Sequence, residues 1–480
     1  IFDPHNLMNP GKIISDDPHV TVRRLRTVNT VTPELTELQL QWSPDELSNA
    51  AERCTNCGVC RETGDDQRMC PLFHHDPIEA ASPRAKAIVM RDLASGRLAP
   101  QELPSDEMKE LADLCFNCKQ CELECPSRVN IPHLMIEAKA SYVAANGLER
   151  TDWTLSRAHS FGTLGSRTAP FSNVVLNHRI GRWLIEKILG IARDRKLPAF
   201  SRRQFLRKYG QRQPERKVPA KGEKRPVVYF VDHYVNHHDP DLGRALMAVL
   251  EHNGIKVVIP KQQTVSGMAM LSAGDLDGAR EMAEHNLRIL CEFARDGYHI
   301  VCTEPAAALC LSQEYPRLTD HPDVELVASQ VREAGAYLLE LHHQGELRTD
   351  FGPLEFAAGY HTPCHLKALG PHTPFAELVG LIPQLTLHRI EKGCSGMAGA
   401  FGLTQRHFET SLEIGAGLMQ RMNEPDLQLG ITECSSCKLQ MQQQTTTPTI
   451  HPLKLLALSY GLLPDLRRFL RPSTKRLIIR

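Results

Sequence analysis

The sequence lacks several features that would assign it to a common functional class. Its formal net charge is zero, with 56 Lys and Arg against 56 Asp and Glu, so no global excess of positive charge favours nucleic acid. No apolar run approaches the roughly 18 residues that a membrane-spanning helix needs. The glycine-rich stretch 393–402 has neither the G-x-G-x-x-G spacing nor the lysine of a phosphate-binding loop. We therefore expect no nucleic-acid partner and no nucleotide loop.

Signals for disulfide bonds are also missing, although the chain has 15 cysteines. The cysteine count is odd, the chain is long, and no secretory segment is visible. These features argue against a disulfide framework and favour a reducing, cytoplasmic compartment. The chain begins at Ile1 rather than at methionine, which fits a fragment of a longer protein.

Eight cysteines form two runs of the ferredoxin type. The first run is Cys54, Cys57 and Cys60, closed by Cys70 before Pro71, and the second is Cys115, Cys118 and Cys121, closed by Cys125 before Pro126. Three thiolates at steps of three wrap around one corner of an iron–sulfur cube, and a fourth comes from a separate turn. The pattern predicts two 4Fe-4S clusters and one-electron transfer. Two structural zinc sites are the alternative, because Cys-x2-Cys pairs also suit tetrahedral zinc.

The closing cysteine of each run is predicted to serve the other cluster, as it does in two-cluster ferredoxins. The predicted ligands of the first cluster are Cys54, Cys57, Cys60 and Cys125, and those of the second are Cys115, Cys118, Cys121 and Cys70.

The rest of the chain divides into a connector and an internal repeat. The predicted units are an α-helical two-cluster domain at 45–145, a basic helical connector at 146–225, and two α/β modules at 226–345 and 346–470. The repeat is visible in Ser266-Gly267-Met268-Ala269, which recurs 129 residues later as Ser395-Gly396-Met397-Ala398. Strand-like stretches at 227–231 and 356–360 each precede a helical segment, which predicts parallel sheets. The fold class is α+β and multidomain.

The connector carries apolar residues at helical steps surrounded by positive charge. Ile180, Trp183, Leu184, Ile188 and Ile191 follow this spacing. Two interpretations are open: a basic amphipathic helix that lies on an anionic membrane surface, and a helix that packs on a neighbouring domain. The stretch 211–225 is predicted to be an exposed linker.

The second module carries four further cysteines that form a candidate third metal site. They are Cys364, Cys394, Cys434 and Cys437, and their spread over three turns suggests convergence on one point. Buried inert thiols are the alternative. The positions equivalent to the last three in the first module are Val265, Pro305 and Ala308, so that module is predicted to be structural. His365 and Glu433 flank ligands and are predicted to support them. Cys291, Cys302 and Cys310 are predicted to be core residues.

Both modules resemble the cysteine-rich (CCG) domains found in heterodisulfide reductase and in the iron–sulfur subunits of glycolate oxidase and anaerobic glycerol-3-phosphate dehydrogenase. The matching stretches include His361-Thr362-Pro363-Cys364-His365 and Glu433-Cys434-Ser435-Ser436-Cys437-Lys438. The family's paired cysteine before glycine is here Cys394-Ser395-Gly396, which puts an unusual non-cubane cluster in doubt and leaves iron–sulfur or zinc for the third site.

The opening residues resemble the closing peptide of FAD-linked oxidases that act on D-lactate or glycolate. This peptide runs from Ile1 to Lys12, and residues 1–20 would be the tail of such a domain. The resemblance implies an oxidoreductase in which FAD on an upstream domain, fused or separate, oxidises a D-2-hydroxy acid such as D-lactate, glycolate or D-2-hydroxyglutarate. The clusters would pass the electrons to a quinone or other respiratory acceptor, with peripheral contact at the cytoplasmic face of the inner membrane.

Two alternatives to this function stay open at this point. One is a stand-alone iron–sulfur subunit of a glycerol-3-phosphate dehydrogenase or glycolate oxidase. The other is a structural zinc protein that acts as an assembly module. No hydride-transfer site is visible in the sequence, so no catalytic residue is predicted.

Overall fold

The computed structural model describes residues 37–43, 46–64, 68–211, 224–472 and 477–479, together with Asp17 and His19. Apart from these last two residues, the oxidase-like stretch 1–20 lies outside the described residues. Residues 212–223 of the predicted linker lie outside them as well.

The first unit is helical, as predicted. Its helices are α1 (Glu46–Glu52), α2 (Pro71–His75), α3 (Pro83–Ala94), α4 (Asp106–Asp113), α5 (Gln120–Glu124) and α6 (Ile131–Asn146). The Ser105 hydroxyl accepts a hydrogen bond from the Met108 N–H at 3.2 Å, which confirms Ser105 as the cap of α4. Ser82 caps α3 in the same way through the Ala85 N–H at 3.0 Å.

The connector consists of short helices and one short strand. They are α7 (Arg150–Ser156), α8 (Ala158–Arg167), α9 (Ala169–Asn177), α10 (Arg179–Leu189), β1 (Leu197–Pro198) and α11 (Phe205–Tyr209). Strand β1 pairs in parallel with β10 (Ile478–Ile479).

Helix α10 turns its apolar side to solvent and buries polar residues. Ile180, Trp183 and Ile188 are 65%, 46% and 55% exposed. Arg182 is buried and donates from Nε to the Arg193 carbonyl at 2.9 Å, and the buried Glu186 carboxylate accepts the Arg193 N–H at 2.9 Å. Among the described residues, no neighbouring domain covers this apolar side. Polar contacts with the following turn decide which side of α10 faces inward.

The two modules each build a four-stranded parallel sheet, as predicted. The first contains β2 (Val227–Phe230), β3 (Val257–Val258), β4 (His299–Cys302) and β5 (Val331–Glu333), in the order β3-β2-β4-β5. The second contains β6 (Phe356–Tyr360), β7 (Leu385–Arg389), β8 (Leu429–Ile431) and β9 (Thr449–Ile450), in the order β7-β6-β8-β9. The identical order confirms the repeat.

Helices cover both sheets. The first module has α12 (His233–His237), α13 (Pro240–His252), α14 (Met268–Ala273), α15 (Leu276–Arg295), α16 (Pro305–Leu309), a π-helical turn (Cys310–Glu314), α17 (Tyr315–Leu318), α18 (Val324–Gln330) and α19 (Ala334–His343). The second has α20 (Cys364–Leu369), α21 (Pro374–Gly380), α22 (Phe408–Ile414), α23 (Ala416–Met422), α24 (Ser435–Met441) and α25 (Pro452–Ser459). One buried apolar cluster spans both modules and includes Tyr229 and Phe375.

This topology determines where the second module's cysteines lie. The strand order reverses at β6, because the chain continues first to β7 on one side and then to β8 on the other. In such sheets a crevice opens outside the carboxyl ends of the strands at the reversal point. Cys364, Cys394 and Cys434 each follow the carboxyl end of one of these three strands.

Candidate iron–sulfur site

The first group of thiols lies near the surface of the helical unit. Cys54, Cys57, Cys60 and Cys125 line one cavity together with Cys121. Cys57 is exposed, whereas Cys54, Cys60 and Cys125 are half-buried. Burial raises the pKa of the Cys60 thiol, and the neighbouring Cys54 and Cys125 raise it further. The structure thus places Cys125 with the first run, and the ligand assignment stays a prediction.

Three of the four thiols in the second group are buried, and the fourth, Cys115, is half-buried. Cys70, Cys118 and Cys121 are 8%, 9% and 5% exposed. Burial raises the pKa of Cys70 and of Cys121, and the nearby Cys115 raises both pKa values further. The Lys86 ammonium acts in the opposite direction on both. A set of close thiols with raised pKa values is costly to ionise unless a metal compensates the charge.

Both ferredoxin loops share an unusual backbone conformation. Asn56 and Gly58 have φ angles of 62° and 86°, and the equivalent Asn117 and Lys119 have 53° and 61°. Left-handed conformations at alternate positions turn the loop around the space between the three thiols. The donor set and the loop shape therefore fit a cluster in each run.

The four cysteines of the second module also come together, but at the carboxyl edge of a sheet. Burial is the largest cause of the raised pKa of Cys364, and the nearby Cys394 and Cys434 raise it further. Cys434 interacts with the Cys437 side chain. Gly396 donates its N–H to the Cys394 sulfur at 3.3 Å and has a φ of 79°. A Cβ there would lie 2.2 Å from the Ser411 carbonyl oxygen, so only glycine fits.

Ser395 takes part in this set although it is not a thiol. Its hydroxyl oxygen lies 3.3 Å from the Cys437 sulfur. Within the described ranges, no three His, Cys, Asp or Glu side chains are placed to hold a single metal ion.

The second ferredoxin loop contacts this cysteine set directly. Gln120 donates from Nε2 to the Cys364 carbonyl at 3.4 Å, and His365 donates from Nε2 to the Asn117 carbonyl at 2.9 Å. Cys364 raises the pKa of Cys118, after burial, which is the larger cause. The thiol groups therefore form a continuous series from the exposed Cys57 to the second module.

The first module holds the same loop from the other side. Lys119 forms an ion pair with Glu314 at 2.6 Å, and His133 donates from Nε2 to the other Glu314 oxygen at 2.9 Å. Although burial opposes ionisation of Glu314, the Lys119 ammonium, followed by the hydrogen-bonded His133 ring, holds the pKa of Glu314 well below the usual range. Asn117 also donates from Nδ2 to the Ser272 hydroxyl at 3.4 Å.

The glutamate that flanks the third group lies in a buried hydrogen-bond network. Tyr360 donates its hydroxyl to Glu433, and burial raises the pKa of Glu433 to about 8. The Ser435 N–H donates to Glu304 at 3.0 Å, so the repeat-equivalent glutamate of the first module caps a helix of the second.

The remaining cysteines are core residues, as predicted. Cys291, Cys302 and Cys310 are buried at 8%, 0% and 0% exposure in the first module's apolar cluster. All fifteen cysteines are free of disulfide bonds.

Sequence reasoning missed Glu314 and His133, which lie 181 positions apart. Lys119 was visible between two predicted ligands, but nothing in the sequence indicates its partner. Charged residues that become buried only through tertiary contacts cannot be recognised from hydrophobic periodicity in the sequence.

Comparison with protein-family models identifies the units. Residues 50–129 match the 4Fe-4S dicluster domain, and residues 227–313 and 358–442 match the cysteine-rich domain. The chain is a 4Fe-4S dicluster domain followed by two cysteine-rich domains. The dicluster domain implies two 4Fe-4S clusters, which favours clusters over zinc for the eight ferredoxin cysteines.

Several curated proteins are homologous to the chain. One of the subunits of anaerobic glycerol-3-phosphate dehydrogenase from Escherichia coli (strain K12) is 29% identical over 69% of this chain and 82% of its own length. D-2-hydroxyglutarate dehydrogenase of the same strain is 24% identical over 95% of this chain and 48% of its own length. The probable glycolate oxidase iron-sulfur subunit of Bacillus subtilis (strain 168) is 23% identical over 86% of this chain and 93% of its own length. The chain thus spans about half the length of the D-2-hydroxyglutarate dehydrogenase it matches.

Proposed function

We propose that the chain is the electron-transfer part of a flavin-dependent dehydrogenase that oxidises a D-2-hydroxy acid. Its partner is an FAD-linked oxidase domain, fused or separate, and the acceptor is a quinone or another respiratory carrier. The observation that carries the proposal is the continuous series of thiols from the exposed Cys57 through the buried second group to Cys364. The match over 95% of this chain to D-2-hydroxyglutarate dehydrogenase supports the substrate class.

The bound clusters supply one-electron transfer. The chain's cysteines would hold these centres, and burial of the inner thiols would exclude water from them. Cys70, Cys118 and Cys121 are each less than 10% exposed. The Lys119–Glu314 pair fixes the second loop between the modules. The exposure of Cys57 supports the proposal that the first centre would be the entry for electrons from the flavin.

We propose a third iron–sulfur centre at Cys364, Cys394, Cys434 and Cys437, with zinc as the alternative metal. Its support is the convergence of four thiols from three strand ends beside the Ser395 hydroxyl. It would be the terminal centre of the series.

A peripheral membrane contact is part of the same proposal. The described residues include no helix long and apolar enough to cross a membrane. The connector nevertheless exposes Phe161, Leu164, Phe171, Val174, Ile180, Trp183 and Ile188 on α8–α10. Arg167, Arg179 and Lys187 lie on the same helices. Exposed apolar side chains with basic neighbours suit an anionic membrane surface.

A stand-alone subunit of a glycerol-3-phosphate dehydrogenase is the second candidate. It is favoured by the 29% identity to the glycerol-3-phosphate dehydrogenase relative over 82% of that protein. The donor distinguishes the two candidates.

The test is donor-driven bleaching of the cluster absorption in the complex isolated anaerobically from its source. Bleaching by D-lactate, glycolate or D-2-hydroxyglutarate supports the proposal. Bleaching by glycerol 3-phosphate alone selects the second candidate. A colourless protein that contains zinc and no iron would refute both.

A further inference from the structure

A cavity of about 480 Å³ lies beside the third cysteine group, and we call it the edge cavity. It is bounded by α5 of the helical unit and by the carboxyl ends of β6 and β7. Tyr360 ends β6 and Arg389 ends β7, so the cavity occupies the crevice at the reversal of strand order. Its volume falls in the range of about 300–1,000 Å³ that is typical of small-molecule sites.

Three cationic side chains line the edge cavity. They are Arg68, Lys367 and Arg389, and none of them has an ion pair or side-chain hydrogen bond with another described residue. Burial lowers the pKa of Lys367 and the nearby Arg68 lowers it further, whereas Glu124 and Glu391 oppose this shift without reversing it. Arg68 and Lys367 are partly buried like charges without a direct ion-pair partner among the described residues, which favours binding of an anion between them.

Two carboxylates, Glu124 and Glu391, also line the cavity and offset part of this positive charge. The Glu124 Oε2 atom already accepts the N–H groups of Arg68 and Met69 at 3.0 and 2.8 Å. Glu391 is exposed at the rim. The three cationic side chains therefore outnumber the two carboxylates at the wall.

The remaining wall is partly apolar. Leu123, Ala368, Pro371 and Ile390 contribute to it, and Leu123 is 47% exposed. An apolar wall opposite cations suits an organic molecule with an apolar body and an acidic group.

The cavity also adjoins the cysteine group. Thr362 at its wall precedes Cys364 by two positions, and Gln120 at its wall donates to the Cys364 carbonyl. A bound molecule would therefore lie next to the proposed terminal centre.

We propose that the edge cavity is a binding site for a small organic anion, whose carboxylate or other acidic group is held by Arg68 and Lys367 while its apolar body contacts Leu123 and Pro371. This proposal goes beyond the proposed function, because anion binding in the cavity requires no chemical step and does not depend on which donor reduces the chain.

The test compares two probes that differ only in charge. Naphthalene-2-carboxylate and its neutral carboxamide are titrated calorimetrically into the anaerobically purified, cluster-loaded full chain. We expect one naphthalene-2-carboxylate molecule to bind per chain. The carboxamide should bind at least about tenfold more weakly, because it lacks the charge-assisted contact. Arg68→Gln and Lys367→Gln each weaken carboxylate binding about tenfold and leave carboxamide binding unchanged.

Lys256→Gln is the matched control, because Lys256 is exposed on the first module far along the chain from the cavity. Arg389→Gln, at the exposed rim, provides a second variant that does not threaten folding. Equal affinities for the two probes, or no saturable carboxylate binding, would overturn the site. The site would also be overturned if the variants shifted the cluster potentials in a redox titration but left carboxylate affinity unchanged. The cations would then affect only the metal centre. Donor-driven bleaching is measured separately, so failure of the proposed function leaves this result readable.

Discussion

Lys119 and Glu314 form a buried ion pair at 2.6 Å that joins the second ferredoxin loop to the first cysteine-rich domain. Lys119 lies between the thiols Cys118 and Cys121, and Glu314 ends the π-helical turn of a module that has no matching cysteines. The first module therefore supplies a negative charge that neutralises a cation in the second ferredoxin loop.

Replacement of Glu314 by Gln removes that charge and leaves the Lys119 ammonium buried without a partner. We expect the reduction potential of the second cluster to rise by tens of millivolts, at about 59 mV per tenfold change in equilibrium, since an unneutralised cation favours the reduced state. The variant should also lose about 3 kcal/mol of unfolding free energy, as a broken buried pair does. Redox titration followed by EPR and denaturant unfolding measure the two effects. Glu325→Gln, at an exposed site, is the control; a potential equal to that of the control would contradict the neutralising role.

The crossed ligand assignment predicts which cluster each closing cysteine serves. Cys70→Ser should remove or alter the cluster of Cys115, Cys118 and Cys121, because Cys70 is close to that buried group. Cys125→Ser should affect the other cluster. EPR of the reduced variants reports which cluster is lost. Each EPR signal is assigned by comparison with a second variant that lacks a cysteine of the first or of the second run. Loss of the first-run cluster in Cys70→Ser would refute the crossing, and Cys291→Ser should leave both signals intact.

The third group predicts iron beyond the two dicluster centres. Iron content should exceed about eight atoms per chain, the number that two 4Fe-4S clusters supply. Cys434→Ser should lower it to about that value, because the four thiols converge. Cys310→Ser, a core residue, is the control. Iron analysis with simultaneous zinc analysis decides, and an unchanged metal content in Cys434→Ser would speak for inert thiols.

The exposed apolar side of the connector predicts binding to vesicles. The full chain should co-sediment with vesicles that contain phosphatidylglycerol more strongly than with pure phosphatidylcholine, and salt should weaken this binding. Trp183→Glu should reduce the bound fraction about tenfold, since it places a charge in the contact. Leu381→Glu, at a 41% exposed apolar residue of the second module, is the matched control. Equal sedimentation of both variants would show that the connector is not the contact.

Acid should destabilise the first module through its histidines. Burial lowers the pKa of His237 and of His238 to about 4, so both stay neutral when folded. The unfolded chain binds protons as pH falls below about 6.5, so stability is complete above that pH and declines toward pH 4. His238→Asn should recover about 2 kcal/mol of the loss between pH 6.5 and 4.5, measured by denaturant unfolding. His343→Gln, which is exposed, should recover none, and equal slopes for parent and His238→Asn would contradict the prediction.

Much of the fold was predictable because local signals agreed. Ser105 is a favourable capping residue, and Met108, Leu111 and Leu114 recur at helical spacing, so local signals agree with α4 at Asp106–Asp113. The repeat predicted two modules, and the two sheets have the same strand order.

The connector shows where local signals fail. The apolar stripe of α10 was correct as a pattern, but periodicity cannot tell which side of a helix faces inward. The Arg182 contacts with the carbonyls of the following turn settle the orientation, and those contacts exist only in the folded chain.

The sequence by itself determined the cofactor chemistry, because ligand spacing of three residues is a local property that two loops can satisfy without the rest of the fold. Only the tertiary structure decided how the thiol groups follow one another, that Glu314 neutralises Lys119, and that Arg68 and Lys367 share one cavity with Arg389. These relationships join residues that are distant in the sequence, and they depend on burial and charge that arise when the modules pack together.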